Sequence, residues 1–152
     1  MLNENFRDML STLNDAGAEY LVVGAYALTA YGPARATGDF DIWVRPTEEN
    51  AERVWTALER FGAPRRKLTR QDLVTPDVVF QIGIAPNRID LLTSITGVAF
   101  EEAWPHRVQV TIDGLQVPVL GREQLLKNKR AIGRPKDLAD VAWLEETGPN
   151  HE

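Results

Sequence analysis

The chain contains no cysteine, so neither a disulfide framework nor a thiolate zinc site is available to it. Long apolar runs are absent too: nothing approaches the length of a membrane span, and residues 1–10 mix acids with a single Arg7, unlike a secretory signal. These absences lead us to expect a cytoplasmic protein with no membrane partner. Positive charge is also in short supply, with 17 Lys and Arg against 22 Asp and Glu and a formal net charge of −5. Such a balance argues against nonspecific capture of nucleic acid by a strongly basic surface. Of the two histidines, His106 stands beside Pro105 and His151 falls in the closing tail; neither has the setting of a catalytic group. What remains is 152 residues with 43% apolar and 26% charged content, enough for one core. A single domain is expected over residues 1–146, followed by a short tail at 147–152.

The pattern of apolar residues gives the order of elements. Phe6, Met9, Leu10 and Leu13 recur at helical spacing and Gly17 follows as a stop. Tyr20-Leu21-Val22-Val23 reads as a short buried strand that runs into Gly24 and a short helix over 25–30. A loop over 34–38 leads to a strand at 39–44. Thr47 can cap a helix whose first turn holds Glu48 and Glu49 and whose apolar stripe is Ala51, Val54, Trp55 and Leu58. Residues 62–76 show little periodicity. Strands are expected at 78–84 and 88–92, joined by Ala85-Pro86-Asn87, then a short helix over 98–104. A hairpin follows, with strands 108–112 and 115–119 around Asp113-Gly114. Two helices, near 121–131 and 135–146, close the chain, the second restarted by Pro135 after Gly133. The fold class is therefore α/β: a mixed sheet of about five strands flanked by helices, with the first strand near the 39–44 strand because the connection is short.

The residues with chemical content are acids. In Asp39-Phe40-Asp41-Ile42-Trp43-Val44 a strand sends Asp39 and Asp41 to one face while Phe40 and Ile42 enter the core. Two like charges side by side cost stability unless a cation sits between them, and a divalent metal is the obvious candidate. Asp90 interrupts the apolar strand Arg88-Ile89-Asp90-Leu91-Leu92. It reads either as an acid at a strand edge paired with Arg88 or as a third metal ligand. Three carboxylates on adjacent strands suit magnesium, and can hold two ions for phosphoryl transfer. Gly24 lies where a strand gives way to a helix, a place where backbone amides attract anions, and Asp39 follows fifteen residues later. Two basic stretches, Arg60 to Arg70 and Arg122 to Lys136, hold eleven of the seventeen cationic residues. Asp137 reads as a helix-dipole partner or as a group near the site, and the same choice holds for Asp140. Trp43, Trp55, Trp104 and Trp143 read as core rather than as stacking platforms.

Val23-Gly24-Ala25-Tyr26-Ala27-Leu28 followed by Arg35-Ala36-Thr37-Gly38-Asp39-Phe40-Asp41-Ile42-Trp43-Val44 and a later Asp90 resembles the DNA polymerase β-like nucleotidyltransferase superfamily. Lys127-Asn128-Lys129-Arg130 through Arg134-Pro135-Lys136-Asp137 to Asp140 is similar to the closing element of its small prokaryotic branch of abortive-infection and toxin–antitoxin proteins. The resemblance spans roughly residues 20–145. It implies transfer of a nucleoside monophosphate from a nucleoside triphosphate to an acceptor hydroxyl, with release of pyrophosphate. Asp39, Asp41 and Asp90 would bind Mg2+, two ions in all, and Asp90 would help to deprotonate the acceptor. Gly24, Ala25 and Tyr26 would cradle the triphosphate, with Arg35, Thr37 and Lys129 as further nucleotide contacts. The acceptor would be a tRNA or other RNA, a protein side chain or a small molecule. A toxin–antitoxin partner protein is also implied. The family's usual Gly or Ser after the first glycine is replaced by Ala25, which keeps the amide and removes a hydroxyl. Two other readings compete: a catalytically silent nucleotidyltransferase fold acting as nucleotide sensor or protein partner, and a metal-dependent nuclease or phosphatase. The last leaves the glycine turn unexplained.

Overall fold

Alternation along one strand sets the architecture. In β2 (Asp39–Val44) the residues Phe40, Ile42 and Val44 fill one face, while Asp39, Asp41 and Trp43 take the other. Phe40 stacks on Phe6 of α1 (Glu4–Asp15) with ring centroids 4.7 Å apart, and Tyr26 meets both rings edge-on at 5.6 and 4.8 Å. Aromatic pairs in these arrangements add about 0.5–1.5 kcal/mol each beyond their area. The structure is a computed structural model that describes residues 2–32, 39–84 and 86–147.

The remaining strands are β1 (Tyr20–Val23), β3 (Val79–Ile82), β4 (Arg88–Leu92), β5 (Val108–Ile112) and β6 (Leu115–Val119). They form one sheet in the order β3-β4-β2-β1-β6-β5. It has six strands rather than about five, because both hairpins contribute both of their strands to the same sheet. β1 runs antiparallel to β2 and parallel to β6, and β2 runs parallel to β4. All four residues of β1 are buried, as a strand enclosed on both edges and both faces requires.

α1 and α2 (Glu48–Phe61) pack together on the Phe40 side. Thr47 caps α2 by accepting a bond from the Asn50 amide, and Glu48 and Glu49 occupy the first turn, as expected. The buried stripe is Ala51, Val54, Ala57 and Leu58; Trp55 is only half-buried, roofed by the guanidinium groups of Arg65 and Arg70. β3 is shorter than the expected 78–84 because the chain turns at Ile84, whose carbonyl accepts from the Asn87 amide. The helix expected over 98–104 is α3 (Phe100–Ala103) continued by a 3₁₀ turn, Trp104–His106. The segment after β1 is also a 3₁₀ helix, Gly24–Ala30. On the opposite face of the sheet, α3 meets Trp43 through Phe100, and α4 (Arg122–Ile132) and α5 (Pro135–Thr147) stand over the acids.

Candidate active site

Register brings the three acids together. In the parallel pairing of β2 with β4, Asp41 lies opposite Asp90 and Asp39 lies opposite Arg88. Partners in a ladder share a face, so Asp39, Asp41, Arg88 and Asp90 all project toward α4 and α5. β4 is an inner strand, flanked by β3 and β2, so Asp90 is not an edge acid.

Gly24 completes the arrangement from β1. Its φ of +67° is in the left-handed region that favours glycine. A Cβ added there would lie 3.2 Å from Asp41 Cγ and 3.3 Å from Asp41 Cβ, and closer still to Oδ2. The glycine turn and the second acid, separated in sequence, are thus in direct contact. Together with Ala25, Leu28 and Asp39 they line a cleft of about 670 Å3. Tyr26 is not among its lining residues, since its ring is committed to Phe6 and Phe40; any contact from this residue would come from its backbone.

The electrostatics record the crowding of like charge. Burial, with added repulsion from Asp90 and then Asp39, pushes the Asp41 carboxyl up to about 6, against the pull of Arg88 and Lys129. Asp90 is also raised, first by burial, with Arg88 opposing. Arg88 is the local counter-ion: its Nη2 donates to Asp39 Oδ2 at 2.6 Å, and its Nε donates to Asp90 Oδ1 at 3.1 Å. The pairing of Asp90 with Arg88 and the co-facial placement of the acids therefore both hold.

The other wall of the cleft comes from α4 and α5. Lys129 is buried, with its ammonium 3.1 Å from Asp140 and 3.6 Å from Asp137. Arg134 grips Asp137 with two bonds, at 2.6 and 3.2 Å, and holds that carboxyl below its usual range. Asp137 sits in the first turn of α5, and its side chain is fully buried and lines the cleft. Asn128, quoted in the closing basic element but given no role of its own, is buried and donates to the Thr96 carbonyl at 2.9 Å, tying the segment after β4 to α4. Only the second basic stretch reaches the cleft, through Lys129, Arg134 and Lys136. In the first, Arg65 and Arg70 pair with Glu59 and Glu52 and cover Trp55. Arg35 and Thr37 lie outside the described residues.

Carboxylate oxygens on neighbouring strands are hard donors of the kind that magnesium takes. Among the described residues no three acids or histidines are drawn together as a ready-made cage. Arg88 instead bridges Asp39 and Asp90, bonded to both. The donor set fits a divalent cation in kind and in face, provided that Arg88 swings aside.

No family model and no curated protein sequence matches the chain. Solved structures do, and they define the class of fold as nucleotidyltransferase-like. One is a Thermotoga maritima protein whose own nucleotidyltransferase assignment is provisional. It is 16% identical with a TM-score of 0.62 over 93% of this chain and 91% of its own. Another is the lincosamide antibiotic adenylyltransferase LnuA in its lincomycin-bound form. That chain is 11% identical with a TM-score of 0.61 over 97% of this chain and 99% of its own. Identities this low establish the fold that the sequence motifs implied.

Proposed function

We propose that the chain is a magnesium-dependent nucleotidyltransferase. The observation that carries this reading is that Asp41 occupies the space a Cβ would need at Gly24, with Asp90 in register beside it. An acceptor hydroxyl oxygen would attack the α-phosphorus of a nucleoside triphosphate, the bond to the β-phosphate bridging oxygen would break, and pyrophosphate would leave. The hydroxyl proton would pass to Asp90. Asp39, Asp41 and Asp90 would hold Mg2+, two ions in this reading, which when bound supply charge neutralisation at the transferring phosphoryl group. Gly24 and Ala25 would present backbone amides to the triphosphate, and Lys129 would add positive charge from the opposite wall. Arg35 and Thr37 are retained as proposed nucleotide contacts.

Lys136, which lines the cleft beside the Arg134–Asp137 pair, favours an anionic acceptor such as a tRNA end, since each neutralised phosphate adds salt-dependent affinity. A protein hydroxyl and a small molecule are the alternatives, the last being the kind of acceptor named for LnuA. The closing basic element supports membership of the toxin–antitoxin branch and an antitoxin partner, and the lack of cysteine and of long apolar runs supports a cytoplasmic setting. One observation favours the silent-scaffold reading: Arg88 already neutralises two of the acids without a metal. The two readings separate in one assay. The chain and an Asp39→Asn/Asp41→Asn variant are incubated with α-labelled nucleoside triphosphates, Mg2+ and cell lysate. Label transferred by the parent alone supports the enzyme; no transfer and no Mg2+-dependent nucleotide binding by the parent supports the scaffold.

A further inference from the structure

We propose that Arg88 is a latch on the cation site: its guanidinium occupies the place of the divalent ion in the free protein and is expelled when the ion loads. The inference rests on the magnesium reading above, and goes beyond it by assigning a second state to one side chain. Three contacts define the closed state. Arg88 Nη2 donates to Asp39 Oδ2 at 2.6 Å, Nε donates to Asp90 Oδ1 at 3.1 Å, and Nη2 reaches Asp90 Oδ2 at 3.4 Å. Both oxygens of Asp90 and one of Asp39 are therefore taken up by a single planar fork, a geometry suited to carboxylates.

Asp41 is treated differently. Among the described residues no hydrogen bond reaches its carboxylate, although it stands opposite Asp90 in the ladder. The latch thus spans the first and third acids and leaves the second open toward the cleft beside Gly24. A dication held by the same oxygens would face the guanidinium at hydrogen-bonding range, where like charges repel strongly in a partly desolvated site. The closed pose and a loaded ion therefore compete for the same carboxylates. The way out is open, since the Arg88 side chain retains 31% of its exposure and can swing to solvent, whereas the Lys129 ammonium is fixed by Asp137 and Asp140. A purpose follows from the charges: without Arg88, neither β2 nor β4 would carry a cation facing Asp41 and Asp90. The latch stabilises the empty site and raises the cation concentration needed to fill it.

The test is titration of Mn2+ into the whole chain by calorimetry, for the parent, Arg88→Met and Arg88→Lys, without nucleotide. Arg88→Met removes the competing charge and should bind Mn2+ at least about tenfold more tightly, because a unit charge at this range acts even when partly screened. Its metal-free form should melt below the parent, with the difference shrinking on adding Mn2+. Arg88→Lys keeps the charge but loses the planar fork that spans Asp39 and Asp90, so its affinity should fall between those of the parent and Arg88→Met. Equal or weaker binding by a folded Arg88→Met would overturn the latch and leave the magnesium reading standing. No Mn2+ binding by any of the three would overturn both. Should Arg88→Met fail to fold, the parent decides: with 15N-arginine labelling, the Arg88 Nε–H signal should lose its exchange protection on saturation with Mg2+. An unchanged signal at saturation would overturn the proposal.

Discussion

Replacing Gly24 by alanine separates the cost of backbone strain from the cost of displacing a functional group. Gly24 and Gly62 both have positive φ, +67° and +86°. At Gly62, the end of α2, an added Cβ meets nothing within 4 Å, so Gly62→Ala carries the strain alone, about 1–2 kcal/mol. At Gly24 the same strain applies, and the new methyl also crowds Asp41 at Cγ and Cβ, 3.2 and 3.3 Å away. The carboxyl is the free end of a short side chain and can rotate, so its displacement adds little to the loss of stability. It moves the Asp41 oxygens away from Asp90, however, and a shift of about 1 Å in a positioned group costs about 100-fold in rate. Urea denaturation should therefore find the two variants destabilised by similar amounts, within about 1 kcal/mol of each other. Pyrophosphate release in the presence of lysate should be near the parent level for Gly62→Ala and about 100-fold lower for Gly24→Ala. A Gly24→Ala protein that is destabilised but transfers nucleotide at the parent rate would refute the argument that this contact sets the site.

Two further outcomes follow from the charges. Because Asp41 titrates at about 6 in the folded chain against 3.8 ordinarily, the folded state holds a proton that the unfolded state has lost between these values. Stability contributed by this group is present below pH 4, falls as the pH rises, and is gone above about 6, a swing of roughly 2–3 kcal/mol. Asp41→Asn should therefore be more stable than the parent at pH 7.5 in EDTA, with a flatter pH profile; urea melts showing it less stable would contradict this. Lys129→Met leaves the buried carboxylates of Asp137 and Asp140 without their shared cation and should cost about 3 kcal/mol, near the lower end for a broken buried pair because Arg134 still holds Asp137. A loss below about 1 kcal/mol in the same melts would contradict that assignment.

Local signals carried much of this fold. Alternation in Asp39–Val44 placed the acids on one face and Phe40 and Ile42 in the core, and Asp113-Gly114 announced the β5–β6 hairpin. The strand order was not legible, since it depends on pairings between distant segments: nothing local says that β4 lies parallel beside β2, or that β6 covers the other edge of β1. For the same reason Asp90 could be read as a ligand or as a partner of Arg88; only the register reveals that Arg88 also faces Asp39. Trp55 fits an apolar stripe by spacing, but the roof of arginines comes from the loop after α2, which has no period to read. Asp137 was ambiguous because the first turn of α5 itself forms part of the cleft wall, and Asp140, further along the helix, lines the same wall.

The most direct measurement is the anomalous scattering of Mn2+ in crystals grown with a non-hydrolysable nucleoside triphosphate. A manganese peak is expected among Asp39, Asp41 and Asp90, with the triphosphate against Gly24 and Arg88 turned away from both of its present partners. A saturating soak that leaves those carboxylates without manganese, or that puts the nucleotide elsewhere on the protein, would contradict it.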